Sequence, residues 1–337
     1  YTIQAEQESA KNFEVIEIHK KLPSSIIKNC NLGYDPRLFT SKNLKNYFFN
    51  NNLIPINNNL IDQIFRFNKK KNKPFYSLEK KIVGETHQSK ISKITNFLKL
   101  NKADFLFTSA PENVAWLLNI RGYDNPNSPI PNARLIVSKN KKLFLFTQSN
   151  NAKKIIAEKK INKNQVLDIM DISKLIKNLK GKNFIIDNKT CSIFHENIIK
   201  SRFKILVNDD PIYKLKSIKN IYEIKHMINA HKKDGLALTK FIYWIKNINK
   251  KMITEVDAQN KLEKFRKLDR DYLFPSFNTI AGSGSNGAIV HYRAKTKSTK
   301  EINKKDIFLI DSGGQYSYGT TDVTRTICFT NQKKSFK

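Results

Sequence analysis

The chain has 337 residues, with 61 lysines and arginines against 29 acidic residues and a formal charge of +32 at pH 7. That length allows two or three domains. No apolar run approaches the roughly 18 residues that a membrane-spanning helix needs. The three cysteines, Cys30, Cys191 and Cys328, are scattered and odd in number. They indicate neither a disulfide framework nor a zinc knuckle, and fit a reduced, cytoplasmic setting. The lysines run the whole length with an excess of Asn and Ile. No basic stripe carries the interleaved aromatics of a base-stacking platform. The charge therefore reads as a chain-wide compositional bias of the kind an AT-rich genome gives, not as a nucleic-acid surface.

Residues 1 to about 83 do not read as a complete domain. Cys30 to Pro36 suits a strand end and turn. A helix is expected from Ser41 to Asn50, with Ser41 as N-cap, and a short strand and turn from Leu53 to Ile64. The lysine-rich run 68–74 ends in proline and reads as a solvated linker. Gly84 opens a second unit. His87 to Asn101 carries Ile91, Ile94, Phe97 and Leu98 at helical spacing. A strand follows at 103–107. A helix then starts at Pro111, with Glu112 at its favourable dipole end. Strands at 134–138 and 143–147 flank the polar turn Lys139-Asn140-Lys141-Lys142. Helices at 149–159, 171–179 and 191–199 alternate with strands at 165–169, 183–187 and 203–207. That alternation indicates an α/β layer fold with a largely buried sheet.

Asn208-Asp209-Asp210-Pro211 marks the next boundary. Two amphipathic helices follow, the first from Ile221 to Ile248. Its expected buried stripe is Ile224, Met227, Ile228, Leu236, Leu238, Phe241 and Ile245. The second runs from Val256 to Leu268, with Thr254 as N-cap and Glu255 and Asp257 in its first turn. The glycines between Gly282 and Gly287 lack the Gly-Lys-Ser/Thr of a phosphate loop, and a strand is expected after them. A loop bordering a peptide cleft is the better reading.

The chemistry concentrates near residue 311. An apolar strand delivers Asp311, a turn is expected at Ser312-Gly313-Gly314, and a second strand returns with Asp322. Across an antiparallel ladder opposed side chains lie about 5 Å apart. Two like charges there repel unless a cation lies between them, and hard oxygen ligands suit Mn, Mg or Zn. On spacing alone, two separate turn aspartates explain the pattern equally well. A lone His291 beside Ile289 and Val290 reads first as a structural histidine. Tyr292 is expected to pack. Arg325 either pairs with a carboxylate or is a sheet-edge cation. Thr320, Thr321, Thr324 and Thr326 read as strand formers. His19, His87, His195, His226 and His231 show no ligand spacing.

Asn286-Gly287-Ala288-Ile289-Val290-His291-Tyr292, Leu309-Ile310-Asp311-Ser312-Gly313, Gly319-Thr320-Thr321-Asp322-Val323-Thr324-Arg325-Thr326 and the upstream Trp116-Leu117-Leu118-Asn119-Ile120-Arg121-Gly122 together resemble the cytosolic-type Xaa-Pro aminopeptidases of the pita-bread metallopeptidase family. The resemblance implies an α/β (α+β) chain. Creatinase-type N-terminal domains, with a mixed sheet and flanking helices, precede the first half of a pita-bread catalytic domain. It divides the chain into a remnant of a first domain (1–83), a second creatinase-like domain (84–210) and a truncated metallopeptidase domain (211–337). It makes Asp311 and Asp322 metal ligands for two divalent cations, usually Mn2+, with Zn2+ or Co2+ as alternatives. It makes His291 a contact for the substrate or intermediate. The implied reaction releases the N-terminal residue from peptides with proline second, by metal-activated water attack, in a cytoplasmic enzyme that is often a homodimer. The family's remaining His and two Glu ligands are absent before Lys337, so the polypeptide as given is expected to bind metal poorly and cleave nothing. The alternative is a non-catalytic pita-bread module that binds a protein or nucleic acid. Prolidase or creatinase is disfavoured by the upstream domains and by the wording around Trp116.

Overall fold

Phe105-Leu106-Phe107-Thr108 is apolar on both faces, and so are Leu135-Ile136-Val137 and Phe184-Ile185-Ile186. Such runs belong in a sheet covered on both sides. The computed structural model describes residues 1–9, 11–65, 73–248 and 252–330. It divides into two compact units, Ile18–Lys219 and Tyr1–Glu17 with Asn220–Lys337.

The Ile18–Lys219 unit is built on a six-stranded mixed sheet. Its strands lie in the order Lys204–Val207, Asn183–Ile186, Phe105–Thr108, Arg134–Ser138, Leu143–Phe146 and Val166–Leu167. The first three are mutually parallel, and the last is parallel to Leu143–Phe146. Arg134–Ser138 is antiparallel to both its neighbours. Alternate side chains feed two cores. Leu106, Leu135, Val137 and Ile185 pack with Ile91, Ile94, Leu98 and Leu117 on one face. Phe105, Phe107, Ile136 and Phe184 pack with Ile172, Ile176 and Ile199 on the other. Each such side chain contributes about 1.5–3 kcal/mol on leaving water. The expected alternation of helix and strand from 149 to 207 is present, with ends shifted by at most two residues.

A charged group also lies inside this unit. Lys90 is 1% exposed, and its Nζ donates to Trp116 O (3.0 Å) and Asn119 Oδ1 (2.7 Å) over the Trp116 ring. Asn119 ends the Pro111–Leu118 helix in the left-handed region, which asparagine tolerates. One smaller expectation is corrected. The cap of the Ser41–Phe48 helix is Thr40, whose Oγ1 accepts from Asn43 N, rather than Ser41. The linker expected at 68–74 lies mostly outside the described residues.

The second unit packs the Ile221–Asn247 and Glu255–Arg266 helices with two three-stranded antiparallel sheets. In one, Phe308–Ser312 lies between Ile280–Ser283 and Val323–Ile327. In the other, Gly314–Tyr316 lies between Tyr272–Pro275 and Gly319–Thr320. Thr254 caps the second helix in a reciprocal box with Asp257. The stripe expected on the long helix is only half right. Leu238, Phe241 and Ile245 are buried, but Ile224, Met227, Ile228 and Leu236 are exposed. The inward face runs instead through Ala230, Asp234 and Ala237. Small residues are needed there: a Cβ on Gly319 would lie 2.8 Å from the Ala230 Cβ.

Candidate metal centre

Along Phe308–Ser312 the side chains alternate. Phe308, Ile310 and Ser312 are buried, while Leu309 and Asp311 are half-buried on the opposite face. Asp311 thus leaves the core on a strand whose other side is anchored in it. In register it pairs with Thr324, whose Oγ1 donates to Asp311 Oδ1 at 2.8 Å. Asp322 is exposed and stands one residue before the Val323–Ile327 strand, two positions from Thr324. The simple hairpin expected from the sequence is corrected in two ways. Asp311 faces Thr324 rather than Asp322, and no turn occurs at Ser312-Gly313-Gly314. The chain passes straight on into Gly314–Tyr316 of the second sheet and returns through Gly319–Thr320.

Gly313 explains the mistake. A Cβ there would lie 2.0 Å from Thr321 O and 2.2 Å from Ser276 Oγ. The residue is glycine because another backbone passes against it, not because the chain turns.

His291 lies in the segment after the 3-10 turn Gly284–Ala288. No strand follows those glycines, contrary to expectation; Gly282 is held against Asn286 and Gly287, 2.7 Å from where its Cβ would be. The imidazole is exposed, with its Nε2 3.5 Å from Tyr1 Oη and the two rings edge to face. Among the described residues no three His, Cys, Asp or Glu side chains are grouped to hold a metal ion. His291 therefore does not join the two aspartates as a third ligand. Arg325 donates to Thr324 O (2.8 Å) and pairs with no carboxylate among the described residues, which is its sheet-edge reading.

Two buried polar networks fix the frame, and the sequence reading missed both. Arg266 donates from Nε to Asp234 Oδ1 (2.6 Å) and from Nη2 to Asp234 Oδ2 (3.0 Å) and Ser312 Oγ (3.1 Å). Tyr316 Oη donates to Asp234 Oδ1 (3.0 Å). Burial, then the Asp234 carboxylate, pushes the Tyr316 phenol well above its usual value. The four side chains tie both helices to the residue beside Asp311.

The second network surrounds Glu255, which is fully buried. It accepts from Ser283 N (2.8 Å), Asn286 Nδ2 (2.9 Å), Tyr292 Oη (2.8 Å) and Lys300 N (3.0 Å). Tyr292 was expected simply to pack. It instead anchors the residue next to His291, and burial followed by Glu255 raises its pKa to about 12. One signal was available in the sequence: Asp234 falls among Ala230, Ala237 and Leu238 on the apolar stripe, where a charge requires a partner.

Residues 68–223 match the creatinase/prolidase N-terminal domain, and residues 225–337 match metallopeptidase family M24. Xaa-Pro aminopeptidase ApepP of Drosophila melanogaster is 32% identical over 91% of this chain and 52% of its own length. Xaa-Pro aminopeptidase 1 of Dictyostelium discoideum is 30% identical over 97% of this chain and 56% of its own. The crystal structure of X-prolyl aminopeptidase from Caenorhabditis elegans, described as a cytosolic enzyme with a di-nuclear active site, superposes with a TM-score of 0.81. It is 25% identical and covers 95% of this chain and 54% of that one. The chain thus spans about half the length of the relatives it matches. It joins a region that matches the creatinase/prolidase N-terminal domain to a region that matches metallopeptidase family M24.

Proposed function

We propose that the complete gene product is a Xaa-Pro aminopeptidase, a hydrolase that releases the N-terminal residue from peptides with proline second. The observation that carries this reading is the pairing of Asp311 with Thr324, two positions along from Asp322, which stands just before the same strand. Were the ladder continued to Asp322, residues so offset would lie about 7–8 Å apart. Two carboxylates give a hard-oxygen donor set that fits divalent ions, though fewer donors than the roughly six such an ion takes. Asp311 and Asp322 are the residues assigned to hold two divalent ions, with Mn2+ the preferred identity and Zn2+ or Co2+ the alternatives. When bound, the ions supply an activated water and polarise the scissile carbonyl.

The chain's own residues do the rest. His291, exposed beside the Tyr292 anchor, is assigned to contact the substrate and donate a hydrogen bond where negative charge develops. The network through Ser312 orients the Asp311 strand. The domain division at 83 and 210, the cytoplasmic location and a homodimeric state belong to the same proposal. Among the described residues no helix is long and apolar enough to cross a membrane.

The test is release of arginine from Arg-Pro-Pro by the complete gene product with and without Mn2+. Metal-dependent release that Asp311→Asn and Asp322→Asn each abolish is expected. Absence of release from the wild type under metal-replete conditions defeats the reading.

A further inference from the structure

Four threonines lie close in sequence to Asp322, and their hydroxyls have different partners. Thr320 Oγ1 donates to Gln315 Oε1 (2.6 Å), and Thr321 Oγ1 accepts from Gly314 N (2.9 Å). Thr326 stands opposite Leu309, and its hydroxyl makes no hydrogen bond among the described residues. Thr324 stands opposite Asp311, and its Oγ1 donates to Asp311 Oδ1 at 2.8 Å. As strand formers the four are interchangeable. As donors, Thr324 alone of them reaches a carboxylate.

That bond settles something the strand leaves open. The backbone fixes where the Asp311 Cβ points, but the two torsions of the side chain remain free to choose among rotamers. Threonine is β-branched and stiff at χ1, so a hydroxyl on the neighbouring strand is a well-placed point of attachment. Oδ1 accepts from that hydroxyl, while Oδ2 accepts from nothing among the described residues. The Asp322 carboxylate accepts no hydrogen bond among them either. The two carboxylates are therefore unequal: Asp311 is oriented before any ion arrives, and Asp322 is not. The Arg266–Ser312 contact holds the strand, whereas Thr324 holds the oxygens.

We infer that Thr324 is a positioning residue for the metal centre, its hydroxyl fixing the Asp311 carboxylate so that Oδ2 is left to face a divalent ion; this rests on the function proposed above. Partners that orient a ligand in this way change metal affinity by about 10–100-fold when they are removed. Thr324 is exposed and Asp311 only half-buried, so water replaces the bond in the metal-free protein and its part in folding is small. Loss of the hydroxyl is felt by the ion, not by the fold.

The experiment titrates the complete gene product with Mn2+, following loss of the free-ion paramagnetic resonance signal, beside release of arginine from Arg-Pro-Pro. Thr324→Val keeps the shape, removes the hydroxyl and suits a strand. It is expected to melt with the wild type when metal-free and to bind Mn2+ about tenfold or more weakly. Thr324→Ser returns the hydroxyl and restores most of the affinity. Thr326→Val makes the same change two residues along the same strand, away from any carboxylate, and binds as wild type does. The inference is overturned if Thr324→Val binds Mn2+ as tightly as wild type, if Thr326→Val weakens binding equally, or if Thr324→Ser restores nothing. Wild type that neither binds Mn2+ nor releases arginine defeats the proposed function and this inference with it. Wild type that does both while Thr324→Val matches it defeats the inference alone.

Discussion

Arg266 and Asp234 meet through two hydrogen bonds of 2.6 and 3.0 Å, with side chains only 1% and 3% exposed. Each comes from a different helix, and Arg266 also holds Ser312. Removing one member leaves an uncompensated buried charge, which costs about 3–5 kcal/mol. Arg266→Met is expected to destabilise the Asn220–Lys337 unit by that amount in urea unfolding. Asp234→Leu together with Arg266→Met is expected to regain most of it. A double variant no better than the single one contradicts this account of the pair.

Glu255 accepts four hydrogen bonds, two on each oxygen. Glu255→Gln puts a donor against two of those donors. Leaving such buried groups unmade costs roughly 1–3 kcal/mol each. Hydrogen exchange should accelerate at the Ser283 and Lys300 amides while the Ile18–Lys219 sheet stays protected. Unchanged exchange at both amides would count against the role given to Glu255.

Gly313→Ala should be poorly tolerated. Its Cβ would meet a backbone carbonyl at 2.0 Å, and a carbonyl cannot rotate aside as a side chain can. Overpacking of this kind costs about 1–3 kcal/mol or more. The expected outcome is a lowered melting temperature with the far-UV spectrum kept. A neutral Gly313→Ala would return Gly313 to the role of an ordinary turn glycine.

Asp210 gives a pH signature. Burial raises its pKa from 3.8 to about 6, although Asn113 and Ile212 N donate to it. Between those values the folded carboxyl holds a proton that the unfolded chain has released. Its contribution is therefore fully present below the unfolded value and is lost as pH rises through about 6. Wild type minus Asp210→Asn should fall by on the order of 2–3 kcal/mol between pH 4 and pH 6. A flat difference curve refutes the shift.

The order of helices and strands from 87 to 207 was legible because local periodicity and two-sided apolar runs set it. Residues such as Ile94 and Phe107 carry the same meaning in the chain as in the fold. That Asp311 leaves the core was legible for the same reason, since a strand's alternation fixes which residues do so. Only the tertiary structure decided that Gly313 is a close approach, that Asp311 faces Thr324, and that the long helix packs through Ala230 and Ala237 rather than Ile224 and Met227. Only it joined Glu255 to Lys300 and Arg266 to Asp234. Those are decisions between segments far apart in sequence, made by how closely backbones can approach and by which buried charge finds a partner, and no short window of residues contains them.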